Sequence, residues 1–287
     1  MVGQAIMNDP IVYLNGDFLP LSQAKVSVLD RGFLFGDGVY EVIPAYGGKL
    51  FRLEEHLQRL EYSLRGIRLD SPLEALRWRH ILGELVRDDG DQSIYLQITR
   101  GTAPKRDHVF PEHIRPTVFA MATPIQTTKP QPAKAVTCED IRWQLCHLKT
   151  ITLLANVLLR QDAVDHGCQE SILVRDGTVT EGAASNLFAV MEGTVVTPPK
   201  GPHLLPGVTR DLILELAETH GIPAAERAIP LAEFRRAEEI WYTSSTRELV
   251  PVVELDNRPV GKGTPGPIWR QMYELFQAYK QAFREAS

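Results

Sequence analysis

The chain has 287 residues, 44% hydrophobic and 23% charged, an ordinary globular balance with length enough for two domains, each with its own core. A net charge of −5, from 31 basic and 36 acidic residues with no basic block, argues against a nucleic-acid partner. With no signal-peptide pattern, no apolar run near the ~20 residues of a membrane span, and three cysteines (Cys138, Cys146, Cys168) lacking a CxxC pair, a soluble cytoplasmic protein without a disulfide framework or zinc ribbon is expected.

In chain order, turn pairs flanked by β-type residues predict hairpins at Asn15-Gly16, Gly47-Gly48, Asp176-Gly177, Glu192-Gly193 and Asp256-Asn257. Between the second and third, Leu53, Leu57, Leu60 and Leu64 make one apolar stripe at helical spacing. Ser71-Pro72-Leu73-Glu74 reads as a capping box with proline at the first helical position, opening a helix through Leu76, Ile81, Leu82 and Leu85. Further helices are predicted over 151–166, stopped by Gly167, over 209–220, stopped by Gly221, and over 267–283. Hairpins join most strands, which speaks against a doubly wound parallel sheet and for a mixed α/β fold. The stretch 122–133, with Pro124, Pro130 and Pro132, has the composition of a linker. It divides a small domain over 1–121 from a larger one over 134–287.

Four segments could carry chemistry. Lysine is scarce, nine of the 31 basic residues. Lys149 precedes the apolar run Ile151-Thr152-Leu153-Leu154, and a lysine stripped of hydration offers the neutral amine that Schiff-base chemistry needs. A solvated lysine ahead of a helix reads the same way. Glu181, in Val179-Thr180-Glu181-Gly182-Ala183-Ala184-Ser185-Asn186, ends a strand among small residues. It could hold a protonated pyridine nitrogen, or sit in a surface turn. Leu205-Pro206-Gly207-Val208-Thr209-Arg210-Asp211 leads into a helix whose first N–H groups, with the Thr209 hydroxyl, make a phosphate site. Gly207 permits close backbone approach there, though many helices begin this way. The segment from Asp30 to Glu41 holds Gly32, Gly36 and Gly38 but fits neither a Walker A loop nor a dinucleotide fingerprint. His108 and His113 lie close together without regular ligand spacing or a third partner, so no metal site is read.

Together these segments resemble the fold-type IV pyridoxal-phosphate (PLP) enzymes over nearly the whole chain. The matching stretches, in order, are Asp30-Arg31-Gly32 to Tyr40-Glu41, Glu55 to Leu60, Lys149, Glu181 to Asn186, Gly207 to Asp211, and Tyr242 to Thr246. The resemblance implies a two-domain enzyme with a small N-terminal α/β domain and a larger C-terminal domain whose barrel-like sheet is flanked by helices. It also implies PLP as cofactor, Lys149 as its Schiff-base lysine and proton carrier, and Glu181 as partner of the ring nitrogen. Arg59, Val208, Thr209, Ser244 and Ser245 resemble the phosphate binders, and Leu205 the residue packed on the ring. Arg59 lies away from the leucine stripe, which frees it to reach a phosphate.

Within the family the chain is most similar to the D-amino-acid aminotransferases. Tyr40 stands where the family places a residue beside the substrate. Arg106-Asp107-His108 resembles an R-x-H trap in which a guanidinium grips a carboxylate in a bidentate way. In the family that loop comes from the neighbouring subunit, which implies a homodimer with composite sites. The expected reaction is transamination between a D-amino acid and a 2-oxo acid, of the D-alanine/2-oxoglutarate type. The alternatives are a branched-chain L-amino-acid aminotransferase and an aminodeoxychorismate lyase. Lys105 looks like one extra residue in the trap loop, and Ala183-Ala184 stand where relatives often carry serines near the cofactor.

Overall fold

A computed structural model describes residues 9–87, 90–125 and 129–286. The first eight residues and positions 126–128 of the expected linker lie outside the described residues. The chain forms two compact units, one of Met1–Ile125 with Lys149–Thr152, the other of Gln126–Leu148 with Leu153–Ser287.

The first unit holds strands β1 (Ile11–Leu14), β2 (Asp17–Pro20), β3 (Gly38–Tyr46), β4 (Lys49–Leu50), β5 (Gln92–Thr99) and β6 (Thr117–Pro124). They form one antiparallel sheet in the order β2-β1-β6-β5-β3-β4. Its helices are α1 (Arg31–Phe35), α2 (Leu53–Gly66) and α3 (Ala75–Leu85). The leucine stripe of α2 does what its spacing predicts: Leu57, Leu60 and Leu64 pack with Ile43, Ile94 and Ile81 in one core. Leu60 is 2% exposed, so truncating it to alanine costs about 2–5 kcal/mol. The helix after Ser71 begins later than the capping box predicts. The Ser71 hydroxyl donates to the Leu73 carbonyl at 2.7 Å and accepts from Trp78 Nε1 at 3.4 Å, and α3 starts at Ala75 with no side-chain cap.

The second unit holds β7 (Ala133–Glu139), α4 (Leu154–Asp165), β8 (Glu170–Arg175), β9 (Thr178–Gly182), β10 (Asn186–Met191) and β11 (Thr194–Thr197). Then follow α5 (Val208–Thr219), β12 (Ala224–Glu226), β13 (Ile229–Pro230), α6 (Leu231–Phe234), β14 (Glu239–Ser244), β15 (Glu248–Leu255), β16 (Arg258–Pro259) and α7 (Pro267–Glu285). The ten strands form a mixed sheet in which β10 and β9 lie far apart in the order β10-β14-β15-β7-β8-β9. Both strands nevertheless touch, because the sheet curls round on itself. Ile172, Leu187, Ala189, Ile240 and Val252 fill its apolar interior. The mixed α/β class and the curled, helix-flanked sheet match the expectation.

All the turn pairs close hairpins. At Asn15-Gly16 and Asp256-Asn257 both central residues take positive φ, the backbone that matches strand twist in a two-residue turn. The helix predicted from 151 starts at Leu154. Thr150 bridges Val39, and the Ile151 amide donates to the Gly38 carbonyl at 3.1 Å, so this stretch is held as an edge on β3 and cannot coil. Among the described residues no helix is long and apolar enough to cross a membrane.

Candidate active site

In the first unit Lys149 is fixed by its backbone on both sides. Its carbonyl accepts from the Tyr40 amide at 3.0 Å, and its own amide donates to the Ser63 hydroxyl at 3.0 Å. Gly38 lets β3 lie close to both neighbours, since a Cβ there would stand 2.5 Å from the Ile98 carbonyl oxygen of β5 and 3.0 Å from Ile151 Cδ1. The Lys149 ammonium lies 4.1 Å from the centroid of the Tyr40 ring, within cation–π range. Its surroundings are therefore aromatic and polar, not the aliphatic run that follows it in sequence. The Tyr40 ring in turn packs at a tilt, with centroids 5.8 Å apart, against Tyr95, whose hydroxyl donates to Gln97 at 2.6 Å.

Beside this lies a buried charge network. Arg59 donates through Nε and Nη2 to both oxygens of Glu41 at 2.8 and 2.7 Å, and His56 Nδ1 meets Glu41 Oε2 at 2.8 Å. Glu41 is fully buried, which by itself would favour the neutral acid. The Arg59 charge and the hydrogen bonds from Arg59 and His56 outweigh that and hold the carboxyl at about 2. Burial lowers the His56 pKa and outweighs the pull of Glu41. A neutral His56 therefore donates from Nδ1 to the carboxylate. Arg59 is not a surface arginine on the solvent side of α2. His56, Arg59 and Ser63 form a second, polar buried face of that helix.

The loop after β5 carries Arg106 and His108, both exposed. The Arg106 guanidinium lies 5.0 Å from the Phe35 ring centroid and the His108 ring 5.2 Å from it. The loop's own carboxylate, Asp107, pairs with Lys105 at 3.2 Å. Among the described residues no carboxylate pairs with Arg106.

In the second unit Glu181 ends β9, 4% exposed. It accepts from Arg142 Nη1, from Asn186 Nδ2 at 3.1 Å and from the Leu205 amide at 3.0 Å. Burial pushes its pKa up to about 7, against the opposing charge of Arg142. Arg142 is itself held by Asp140 through two hydrogen bonds at 2.9 Å. Although burial works against its charge, the two carboxylates keep that pKa raised. Asn186 ties the site together, since its amide donates to the Leu205 carbonyl at 2.9 Å as well as to Glu181. A Cβ on Gly207 would stand 1.9 Å from Asn186 Oδ1. The close approach that needs this glycine is thus to the asparagine.

Helix α5 begins at Val208 with Gly207 as N-cap and no side chain capping it. Its first N–H groups therefore have no intrahelical partner. Val208 and Thr209 are 7% and 8% exposed. Ser244 ends β14 and Ser245 opens the turn after it, where Ser244 Oγ accepts from the Arg247 amide at 3.3 Å. The Thr243 hydroxyl next to them is buried with no hydrogen-bond partner among the described residues. Ala183 turns its methyl into a small core with Leu159 and Leu173, so a serine there would bury its hydroxyl among aliphatic groups. Ala184 is exposed.

The donor set suits a pyridine ring bearing a phosphate. The second unit offers the buried carboxylate of Glu181, an uncapped helix start at Val208 and the hydroxyls of Ser244 and Ser245, and the first unit carries the Lys149 amine. Reading the sequence alone misses Arg142, Asp140, Glu41, His56 and Ser63. The spacing of His56, Arg59 and Ser63 marks a second helix face, whereas no local pattern marks Arg142.

A family model for class IV aminotransferases matches residues 38–255. The chain belongs to this family of PLP-dependent, mixed α/β aminotransferases. It is 39% identical over 274 residues to the D-alanine aminotransferase of Staphylococcus haemolyticus, covering 93% of this chain and 97% of that one. Among solved structures it is similar to the Escherichia coli branched-chain amino acid aminotransferase, with a TM-score of 0.89, 26% identity and 94% of each chain covered. It is also similar to the branched-chain aminotransferase of the thermophilic archaeon Thermoproteus uzoniensis, solved with norvaline, with a TM-score of 0.88, 27% identity and 95% of each chain covered.

Proposed function

We propose that this enzyme transaminates D-amino acids with 2-oxo acids, D-alanine and 2-oxoglutarate being the type pair. It acts in the cytoplasm as a homodimer, with the Arg106–His108 loop of one subunit serving the site of its partner. The segment 122–133, from the end of β6 to the start of β7, joins its two domains. The observation that carries the D-amino-acid reading is the pair Arg106 and His108, exposed on the Phe35 ring. The loop's acid is engaged by Lys105, which leaves the Arg106 guanidinium to a substrate carboxylate. The 39% identity to a D-alanine aminotransferase supports the same choice.

PLP, when bound, supplies an electron sink that stabilises negative charge at the substrate Cα. Glu181 would pair with the ring nitrogen and favour its protonated form, and Arg142 with Asn186 keeps that carboxylate in place. Val208 and Thr209 at the start of α5, with Ser244 and Ser245, would hold the phosphate, and Arg59, braced by Glu41 and His56, would be a further phosphate ligand. Leu205 would pack on the ring and Lys149 would hold the cofactor through Nζ, the same amine being the base that would carry the proton at the substrate Cα. Tyr40 beside Lys149, with Arg106 and His108, orients the substrate carboxylate so that the Cα proton faces the amine.

A branched-chain L-aminotransferase is the second reading, favoured by the close structural likeness to such enzymes. The test is Arg106→Ala. Two charge-assisted hydrogen bonds lost to a carboxylate lower kcat/KM for D-alanine by roughly 10- to 100-fold. An unchanged D-alanine kcat/KM in this variant, with wild-type preference for L-leucine, would replace the first reading by the second.

A further inference from the structure

We propose that Arg31 and Phe35 are positioning residues for substrate selectivity: Arg31 fixes the main chain of the Arg106–His108 loop, and Phe35 fixes its two recognition side chains. The inference rests on the reading of that loop as the carboxylate trap.

The loop has no regular secondary structure between Pro104 and Phe110, and its internal contacts, Lys105 with Asp107 and the Val109 amide with Asp107, do not engage the Arg106 or His108 side chains. What sets their direction comes from α1. Arg31 is 3% exposed, and its guanidinium donates to three consecutive loop carbonyls. Nη1 reaches Asp107 at 2.5 Å and Val109 at 3.3 Å, and Nη2 reaches His108 at 3.2 Å. Successive carbonyls of an extended chain point to opposite sides. Three that converge on one cation define a tightly curled main chain, which the Val109 amide completes by donating to Asp107 Oδ1 at 3.2 Å.

Arg31 is itself immobilised. Its Nε donates to Asp37 Oδ2 at 2.7 Å, and Arg100 Nε donates to the same oxygen at 2.8 Å. Arg100 then donates to the carbonyls of Ile67 and Arg68 at 2.7 and 3.2 Å and stacks 3.7 Å from the Phe110 centroid. The loop is thus braced against the end of α2, the helix that carries Arg59. Phe35 does for the side chains what Arg31 does for the backbone. Its ring receives the Arg106 guanidinium at 5.0 Å, the His108 ring at 5.2 Å and the Arg31 guanidinium at 4.9 Å. A flexible arginine and a histidine held on one aromatic surface lose part of their rotamer freedom before substrate arrives, and binding then has less to order.

Steady-state kinetics with D-alanine and 2-oxoglutarate on the holoenzyme test the inference, using Arg31→Lys, Phe35→Leu, Arg106→Ala and the double variant Phe35→Leu/Arg106→Ala. Lysine keeps the charge beside Asp37 but cannot span three carbonyls. Leucine keeps bulk but offers no π face. The expected result is a KM for D-alanine raised roughly 5- to 50-fold in Arg31→Lys and in Phe35→Leu, with kcat and the cofactor's visible absorption little changed. Phe35→Leu should add less than about twofold in the Arg106→Ala background, because it acts through Arg106. If Arg106→Ala raises KM while Arg31→Lys and Phe35→Leu do not, the positioning role is overturned. The same holds if Phe35→Leu keeps its full effect in the double variant. Should Arg31→Lys fail to fold, the Phe35→Leu pair decides alone. An unchanged KM in Arg106→Ala itself overturns the trap reading, and the positioning role with it.

Discussion

Glu41→Gln keeps the shape of the side chain and removes the negative charge that faces Arg59 inside the smaller unit. Both oxygens of Glu41 are engaged, by Arg59 at 2.8 and 2.7 Å and by His56 at 2.8 Å. The carboxyl titrates at about 2 in place of 4.5, which at ~1.4 kcal/mol per pKa unit corresponds to roughly 3 kcal/mol of stability from the ionised form. Because the folded-state pKa is depressed, this contribution is complete above pH 4.5 and is lost as pH falls toward 2. The glutamine variant has no such proton to gain. Urea denaturation of wild type and variant, each without cofactor, should therefore show a gap of about 3 kcal/mol at pH 7 that narrows steadily below pH 4.5. A gap under ~1 kcal/mol at pH 7, or one that stays constant down to pH 3, would refute the coupling between Glu41 and Arg59.

Three further substitutions probe the site. Lys149→Ala should lower kcat by roughly 10²- to 10⁴-fold, the worth of a positioned proton carrier, and should abolish the lysine-dependent absorption of bound PLP. Glu181→Gln should cost on the order of 10²-fold in kcat with KM for D-alanine nearly unchanged, since its charge acts on the ring and not on the substrate carboxylate. Gly207→Ala should destabilise the protein by about 1–3 kcal/mol in denaturant and weaken PLP binding. The added methyl would stand 1.9 Å from Asn186 Oδ1, and Asn186 must then release either Glu181 or Leu205.

Much of the fold is legible in the sequence where the determinant is local. The hairpin turns follow from residue pairs that accept positive φ, and α2 and α5 follow from apolar spacing and their stop signals. Two expectations fail because a distant partner or a competing local bond decides. Ile151 gives its amide to Gly38, which no pattern within 151–166 reveals, and Ser71 donates to Leu73 and accepts from Trp78 when its sequence context fits a cap. The site divides in the same way. Lys149, Glu181 and the Gly207–Thr209 helix start stand out as motifs. The side chains that tune them do not. Arg142 reaches Glu181 across 39 residues of sequence, and Glu41 meets Arg59 across 18. Only the helical spacing of His56, Arg59 and Ser63 carries a hint of that second buried face.

The absorption spectrum of the PLP-loaded enzyme, titrated in turn with D-alanine and with L-leucine, tests the central claim most directly. The account predicts a visible cofactor band that D-alanine bleaches and that L-leucine bleaches weakly or not at all. A band bleached by L-leucine and untouched by D-alanine would contradict it.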